Sequence, residues 1–383
     1  MANEPRYAEQ GRLALWRRDW ADWRGGNRAR LWARRGYLRA LEGRSDLLWV
    51  RAGPDPDEIR LAADLLGAIR RLRLDLRLVL TYEREYVEVL RERLEGVECD
   101  RVALGYGPGG HGRWLERAVA RLRPRVVITV GHAPEPALAR AVLANAGEVR
   151  AFAVADGPSA DTPALTAVTP VKNGVAEAWR DRAETVDPAA DPRAVLAMAQ
   201  VEPVLPALLG HGRMAWFIGV SDWAELTAAW ESHPLVGDGV LFVTPAPGAD
   251  EPPAEWPRLS RWARHAEPGG TVLVVDDPRW HAVIAASAEA IHVFAPAGSA
   301  FWQAMASHRP VTMAGEPAAD SVGEAPCPRH PATAVAGLAV WQEWRNNPAA
   351  AADLGRRCRQ YFWAVRRQAQ ANIDELLQRI DAW

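Results

Sequence analysis

Lysine is almost missing from this chain. Of 46 basic residues one is lysine, Lys172, and the rest are arginine. With so much Ala, Gly and Pro around it, that bias reads as the coding habit of a GC-rich bacterial genome, not as a functional device. Cysteine is scarce as well: Cys99, Cys327 and Cys358 are far apart, odd in number and without CxxC spacing. This argues against a disulfide framework or a structural zinc site and suits a reducing cytoplasm. No apolar run reaches the about 18 residues that a spanning helix needs. The first twenty residues alternate charge with apolar groups, unlike a secretory leader. The expectation is a cytoplasmic protein, soluble or at most peripheral at the inner face of the membrane. A net charge of −2 lacks the basic balance of a nucleic-acid binder, and no nucleic-acid partner is expected.

What is present is a rhythm of short apolar runs and amphipathic segments. After residue 46, "LLWVRAG", "LRLVLTY", "CDRVALGY", "RVVITVG" and "VRAFAVADG" read as strands, with helical spacing between them. Such βαβα alternation predicts a parallel sheet with helices on both faces, which binds ligands at the carboxyl ends of its strands. The rhythm weakens between 156 and 212, and a second series begins at "MAWFIGV". The expected organisation is a helical segment over 1–46, an α/β domain over 47–185 and a linker over 186–212. A second α/β domain follows over 213–355, and a closing helix over 356–383. Two Rossmann-like domains facing each other across a cleft are the simplest architecture.

Residues 10–40 interleave arginine with Trp16, Trp20, Trp23 and Trp32. A basic, Trp-bearing amphipathic helix can lie on an anionic membrane surface. The alternative is a helix that packs its Trp and Leu face on the domain and leaves its arginines in water.

Several local patterns are chemically suggestive. In "AGPDPDEIRL", Asp55 as N-cap, Pro56 at the first helical position and Glu58 two residues on form a capping pattern. In "APAGSAFWQAMASH", Gly298 permits close backbone approach, and Ser299 would cap a helix whose free N–H groups suit a phosphate. "GYGPGGHGRW" does not fit a dinucleotide or phosphate loop. His111 and Arg113 could bind an anion there, and a plain strand-to-helix turn explains its glycines equally well. His132, after "VVITVG", sits where ligands collect. His132 and Glu135 are spaced i, i+3, but a third metal ligand is not evident, so no metal is expected. Asp276 and Asp277 in "VVDDP" imitate a metal-binding pair and are read as a turn.

Taken in order, "RARLWARRGYLRALEG" with "LLWVRAG", "LDLRLVLTYEREY", "LRPRVVITVGHAPEPALARAVLANAG" and "AIHVFAPAGSAFWQAMASHRPVTMAG" resemble segments of the Kdo (3-deoxy-D-manno-octulosonate) transferases of lipopolysaccharide assembly. These are inverting glycosyltransferases of the two-domain GT-B fold. The resemblance implies a nucleotide-activated donor, CMP-linked in that family, a lipid or cell-envelope glycan acceptor, and no required cofactor. It assigns the general base to Glu58, or to Asp57 if the loop is counted without a gap. Arg51 and His132 fall on the acceptor side, and Gly298, Ser299 and Gln303 on the donor side. The chain departs from the family pattern at several places. The family's histidine after the first strand is Arg51, and its E-x-E acids are Gly131 and Ala133. A basic pair has become Pro245 and Ala246. Its H-N-P-L-E has become Ser299, Ala300, Phe301, Trp302 and Gln303. Phe301 and Trp302 are bulky where the family is compact; they would either fill a nucleotide pocket or form the core face of an ordinary Ser-capped helix. These replacements keep a second reading open, a catalytically degenerate transferase fold that serves as a binding or scaffold module.

Overall fold

The apolar runs become strands covered on both faces, as unalternated hydrophobic strands must be. The computed structural model describes residues 12–97, 100–198, 213–234, 236, 239–246, 249–262, 272–295, 298–315 and 325–383. Cys99 and much of the expected linker, 199–212, lie outside the described residues. The chain forms two units, one taking residues up to Pro192 and then Gln368–Trp383, the other taking Arg193–Arg367.

The first unit begins with α1 (Arg12–Arg24) and α2 (Arg28–Arg34). Its sheet is built from β1 (Leu47–Ala52), β2 (Arg77–Tyr82), β3 (Val102–Tyr106), β4 (Val126–Val130), β5 (Glu148–Val154), β6 (Leu165–Pro170) and β7 (Ala183–Val186). All neighbours are parallel, in the order β3-β2-β1-β4-β5-β6-β7. Between the strands lie α3 (Pro56–Leu72), α4 (Val87–Leu94), α5 (Gly112–Leu122), α6 (Pro136–Ala144) and α7 (Asn173–Trp179). β6 and β7 lie where the sequence rhythm weakens, yet both extend the sheet. Trp49, Val127, Leu138 and Trp179 share one core cluster and are fully buried, each contributing roughly 1.5–3 kcal/mol by leaving water.

The second unit repeats the plan with β8 (Met214–Val220), β9 (Val240–Pro245), β10 (Val272–Val274), β11 (Ala290–Val293), β12 (Val311–Ala314) and β13 (Arg329–His330). The order β10-β9-β8-β11-β12-β13 is again wholly parallel. Its helices are α8 (Trp223–Glu231), α9 (Leu259–Trp262), α10 (His281–Ser287), α11 (Gly298–Ala306), α12 (Ala334–Asn346) and α13 (Pro348–Asp381). Successive strand residues point to opposite faces. Trp216 therefore packs with Phe242, Ile291 and Phe362 in one cluster, and Phe217 with Leu226 and Trp341 in another. In both sheets the strand order reverses between the first and fourth strands, the doubly wound pattern whose crevice at the carboxyl ends takes ligands.

α13 is one continuous helix, and the expected domain boundary at 355/356 falls inside it. Its last turns belong to the first unit. Asn372 donates to the Pro188 carbonyl at 2.8 Å, and Arg379 pairs with Asp187 at 3.5 Å. The free carbonyls at a helix end need donors; Arg73 supplies one to Ile380 at 2.9 Å and to Trp383 at 3.1 Å.

α1 corrects the alternative in which its Trp face packs on the domain. Asp19 and Asp22 are buried instead, and both accept from the buried guanidinium of Arg34, Asp19 at 2.6 Å. Arg35 adds two bonds to Asp19 at 3.1 Å. The acids hold α1 to α2, and Trp16, Trp20 and Trp23 turn outward. Gly36 (φ +82°) lies so close to α5 that a Cβ there would fall 2.1 Å from the Trp114 carbonyl oxygen.

Candidate functional site

The first unit's sheet reverses order between β1 and β4, and the carboxyl ends of those strands bring several charged side chains together. Arg51, near the end of β1, is buried. Its guanidinium forks onto the Glu135 carboxylate, Nη1 to Oε2 at 2.5 Å and Nη2 to Oε1 at 3.0 Å. Trp49, two residues earlier on the same strand face, lies beneath that guanidinium at 5.5 Å, and its indole N–H donates to Thr81 Oγ1 at 2.8 Å. Burial alone would push the Glu135 carboxyl up; the charge and hydrogen bonds of Arg51, with help from His132, outweigh it and hold it at about 2. Burial likewise works against the Arg51 charge, and Glu135 and Glu83 overcome it and raise its pKa. Bidentate arginine–carboxylate pairs of this kind are strong and geometrically specific.

His132 follows β4. It is buried, with Nδ1 2.9 Å from the Val130 carbonyl oxygen, and its own carbonyl accepts from Thr129 Oγ1 at 2.9 Å. Glu135, the residue weighed as its companion metal ligand, is engaged by Arg51. Among the described residues no three His, Cys, Asp or Glu side chains are grouped to hold a metal ion.

The start of α3 closes the cluster. Asp55 is the N-cap, accepting from the Asp57 N–H at 2.7 Å, with Pro56 at the first helical position. Asp57 lies 3.5 Å from Arg60. Glu58 is buried and reaches to Gly131, just past β4. A Cβ on Gly131 would lie 2.2 Å from Glu58 Oε1 and 2.4 Å from its Cδ and Cγ. Gly131 also has φ +84°, a conformation that other residues adopt only with strain. The missing side chain at the first E-x-E position thus has a physical reason, because the Glu58 carboxylate occupies its space. Sequence reasoning picked out Arg51, Glu58 and His132 but did not assign Glu135 or Glu83 to this site. Glu135 stands 84 positions from Arg51 in the chain, and its signal was its place at the mouth of β4, directly before the proline that opens α6.

In the second unit the matching reversal lies between β8 and β11. Gly219 (φ +77°) lets the end of β8 approach Ala295, whose carbonyl oxygen would be 2.4 Å from a Cβ there. α11 begins at Gly298 (φ +48°), so the buried Ser299 lies within its first turn and not at the N-cap position that the sequence suggests. Phe301 and Trp302 are core residues; Trp302 stacks on Tyr361 at 6.3 Å and 12°. Gln303 is buried and committed to the backbone of Met198. It accepts from the Met198 N–H at 2.9 Å and donates to the Met198 carbonyl at 2.8 Å. Asp276 accepts from Ser260, and Asp277 caps a short 3₁₀ turn and pairs with Arg279. Both belong to turns, as the sequence predicts.

No protein-family model matches the chain, and no curated protein matches it by sequence. Solved structures do. HepE from Anabaena, determined with UDP-glucose, is 12% identical, with a TM-score of 0.57 over 87% of this chain and 100% of its own. A UDP-GlcNAc 2-epimerase from Neisseria meningitidis, bound to UDP-GlcNAc, is 9% identical, with a TM-score of 0.54 over 87% of this chain and 100% of its own. A glycosyltransferase from Rickettsia africae is 9% identical, with a TM-score of 0.53 over 88% of this chain and 99% of its own. The resemblance to Kdo transferases is met at the level of fold. The chain has the GT-B type of fold, two doubly wound parallel α/β domains.

Proposed function

We propose that this protein is a glycosyltransferase that moves a sugar from a nucleotide-activated donor to a lipid or cell-envelope glycan, working at the cytoplasmic face of the membrane. The observation that carries the reading is the carboxylate of Glu58, seated beside Gly131 at the β1/β4 reversal, in a fold shared with proteins solved with UDP sugars. In an inverting transfer that carboxylate takes the proton of the acceptor hydroxyl as its oxygen attacks the anomeric carbon. The bond from that carbon to the leaving phosphate oxygen breaks, and the nucleotide departs with the electron pair. Arg51 and Glu135, locked together, would shape the acceptor side with His132. Gly298 and Ser299 would hold the donor phosphate at the start of α11. No metal or organic cofactor enters this scheme. The sequence resemblance favours a CMP-linked sugar, whereas the fold neighbours favour a uridine nucleotide.

A second reading, a degenerate transferase fold kept for binding alone, is favoured by Gln303. Both ends of its amide are used by Met198, which ties the side chain to that backbone and away from a donor sugar or ribose.

A thermal-shift screen against CMP, UDP, GDP and their sugars separates the two. A ligand present at a hundredfold its Kd adds about 2.7 kcal/mol of stability. Stabilisation by one nucleotide class supports the transferase and names its donor base. A flat response across the panel leaves the scaffold.

A further inference from the structure

We propose that α1, α2 and the amino end of α5 form a docking surface for a bilayer that carries anionic phosphate headgroups. The inference deepens the reading that the protein works at a membrane, but its test is vesicle binding, in which nucleotide sugars take no part, so either can fail alone.

The first observation is that α1 is inside out. Leu13, Trp16, Trp20 and Trp23 recur at i, i+3, i+7 and i+10, one face of a helix, and they are 76%, 64%, 49% and 62% exposed. A surface helix ordinarily turns such a stripe inward. Here the inward face carries Asp19 and Asp22, both fixed on Arg34. A contiguous exposed apolar patch marks an interaction site. Tryptophan with arginine beside it is the composition of the membrane interface.

The second observation is charge. Residues 12–35 contain eight arginines and two aspartates. Both aspartates are buried against Arg34, whereas Arg17, Arg24 and Arg28 are exposed. The outward charge of this segment is therefore positive. A second copy of the chain docking about a twofold axis would set these arginines against their own counterparts; an anionic surface complements them.

The third observation is a groove of about 790 Å³ beside the stripe, walled by Trp16, Trp32, Tyr37 and Trp114. His111 and Arg113 line it too. Among the described residues, His111 Nδ1 is buried without a hydrogen-bond partner, and the exposed Arg113 makes no ion pair. An imidazole N–H and a guanidinium in an aromatic-walled groove suit a phosphate on an amphiphile, with the stripe entering the acyl boundary.

The test is co-sedimentation of the full chain with vesicles of phosphatidylcholine alone and of phosphatidylcholine mixed with phosphatidylglycerol. Each arginine near an anionic surface contributes about a fivefold gain, so partition onto the mixed vesicles should exceed that onto the neutral ones by about tenfold or more and fall as salt rises. Trp16→Ser/Trp20→Ser/Trp23→Ser should lose that partition while melting at the wild-type temperature, because these side chains are exposed. His111→Gln/Arg113→Gln should reduce the preference for phosphatidylglycerol and leave the residual neutral binding. Equal partition onto both vesicles, or a triple variant that binds like wild type, would overturn the proposal. So would a concentration-dependent dimer on gel filtration that the triple variant abolishes, since that outcome gives the stripe to a second copy. Displacement from the mixed vesicles by soluble glycerol phosphate would assign the groove to a free phosphate ester and also defeat it.

Discussion

Glu58 stands in the space that a side chain on Gly131 would fill. The two residues are 73 positions apart in the chain, yet a Cβ on the glycine would come within 2.4 Å of three side-chain atoms of the glutamate. The helix start that carries the candidate base and the strand end that faces it are therefore fitted to each other.

Gly131→Ala is expected to cost about 2–4 kcal/mol, combining the strain of a positive φ with overpacking. Glu58→Ala in the same background should recover most of the overpacking and leave roughly 1 kcal/mol from the backbone. Urea unfolding of the four proteins in this cycle measures the coupling. Strict additivity would mean that the two residues do not share that space.

The Arg51–Glu135 pair should behave as a buried ion pair. Removing one partner leaves a buried charge uncompensated, so Arg51→Met or Glu135→Gln should each cost about 3–5 kcal/mol. Replacing both together by apolar residues of similar size should cost much less. The pH dependence has a definite sign. The folded Glu135 carboxyl, at about 2, lies below its ordinary 4.5, so its contribution is complete above about 4.5 and is lost as pH falls towards 2. A wild-type acid-unfolding curve no steeper than that of Glu135→Gln in this window would count against the pair.

The second unit carries an acid-sensitive histidine. His292 is buried on β11, with Nδ1 2.8 Å from Thr312 Oγ1, and burial together with nearby His330 lowers its pKa from 6.5 to about 4. The unfolded chain therefore takes up this proton first. Stability is unaffected above about 6.5, declines as pH falls, and levels off near 4 after a loss of roughly 3 kcal/mol. Native-state hydrogen exchange of β11 amides at pH 7 and pH 4.5 reads it directly; equal opening free energies would contradict it.

Gln303→Glu restores the acid that the resembling family has at this position, and it should do harm. A carboxylate accepts from the Met198 N–H but cannot donate to its carbonyl, so the variant should lose about 1–3 kcal/mol. Nucleotide affinity should not improve. A variant of wild-type stability that gains affinity for a nucleotide sugar would return Gln303 to the donor site.

Much of the fold could be read directly because the strands are long apolar runs and the helices between them keep a regular stripe. "LLWV", "VVITV" and "AWFIGV" all became central strands, and Asp55 caps α3 as its spacing predicts. β6 and β7 were harder, since Leu165–Pro170 and Ala183–Val186 alternate weakly and are joined by only a two-turn helix, Asn173–Trp179. The site was half legible. Arg51 and His132 stand at strand ends and Glu58 at the helix start that follows β1, positions that periodicity reveals. The partnership of Arg51 with Glu135 depends on β1 and β4 lying side by side, which no local spacing encodes. The pattern marked α1 as a helix but left open which way its tryptophans face. Its tryptophans have the periodicity of a buried face, and only the tertiary pairing of Asp19 and Asp22 with Arg34 turns that face outward.

The most direct test joins binding and turnover at Glu58. Calorimetric titration of wild type and Glu58→Gln with the nucleotide sugar that stabilises the protein, alongside release of the free nucleotide in the presence of a lipid or glycan acceptor, separates a base from a mere helix residue. The transferase account predicts that the variant keeps the wild-type affinity within a few-fold and loses at least a hundredfold in turnover. Unchanged turnover in the variant, or a wild type that binds no nucleotide sugar, would contradict it.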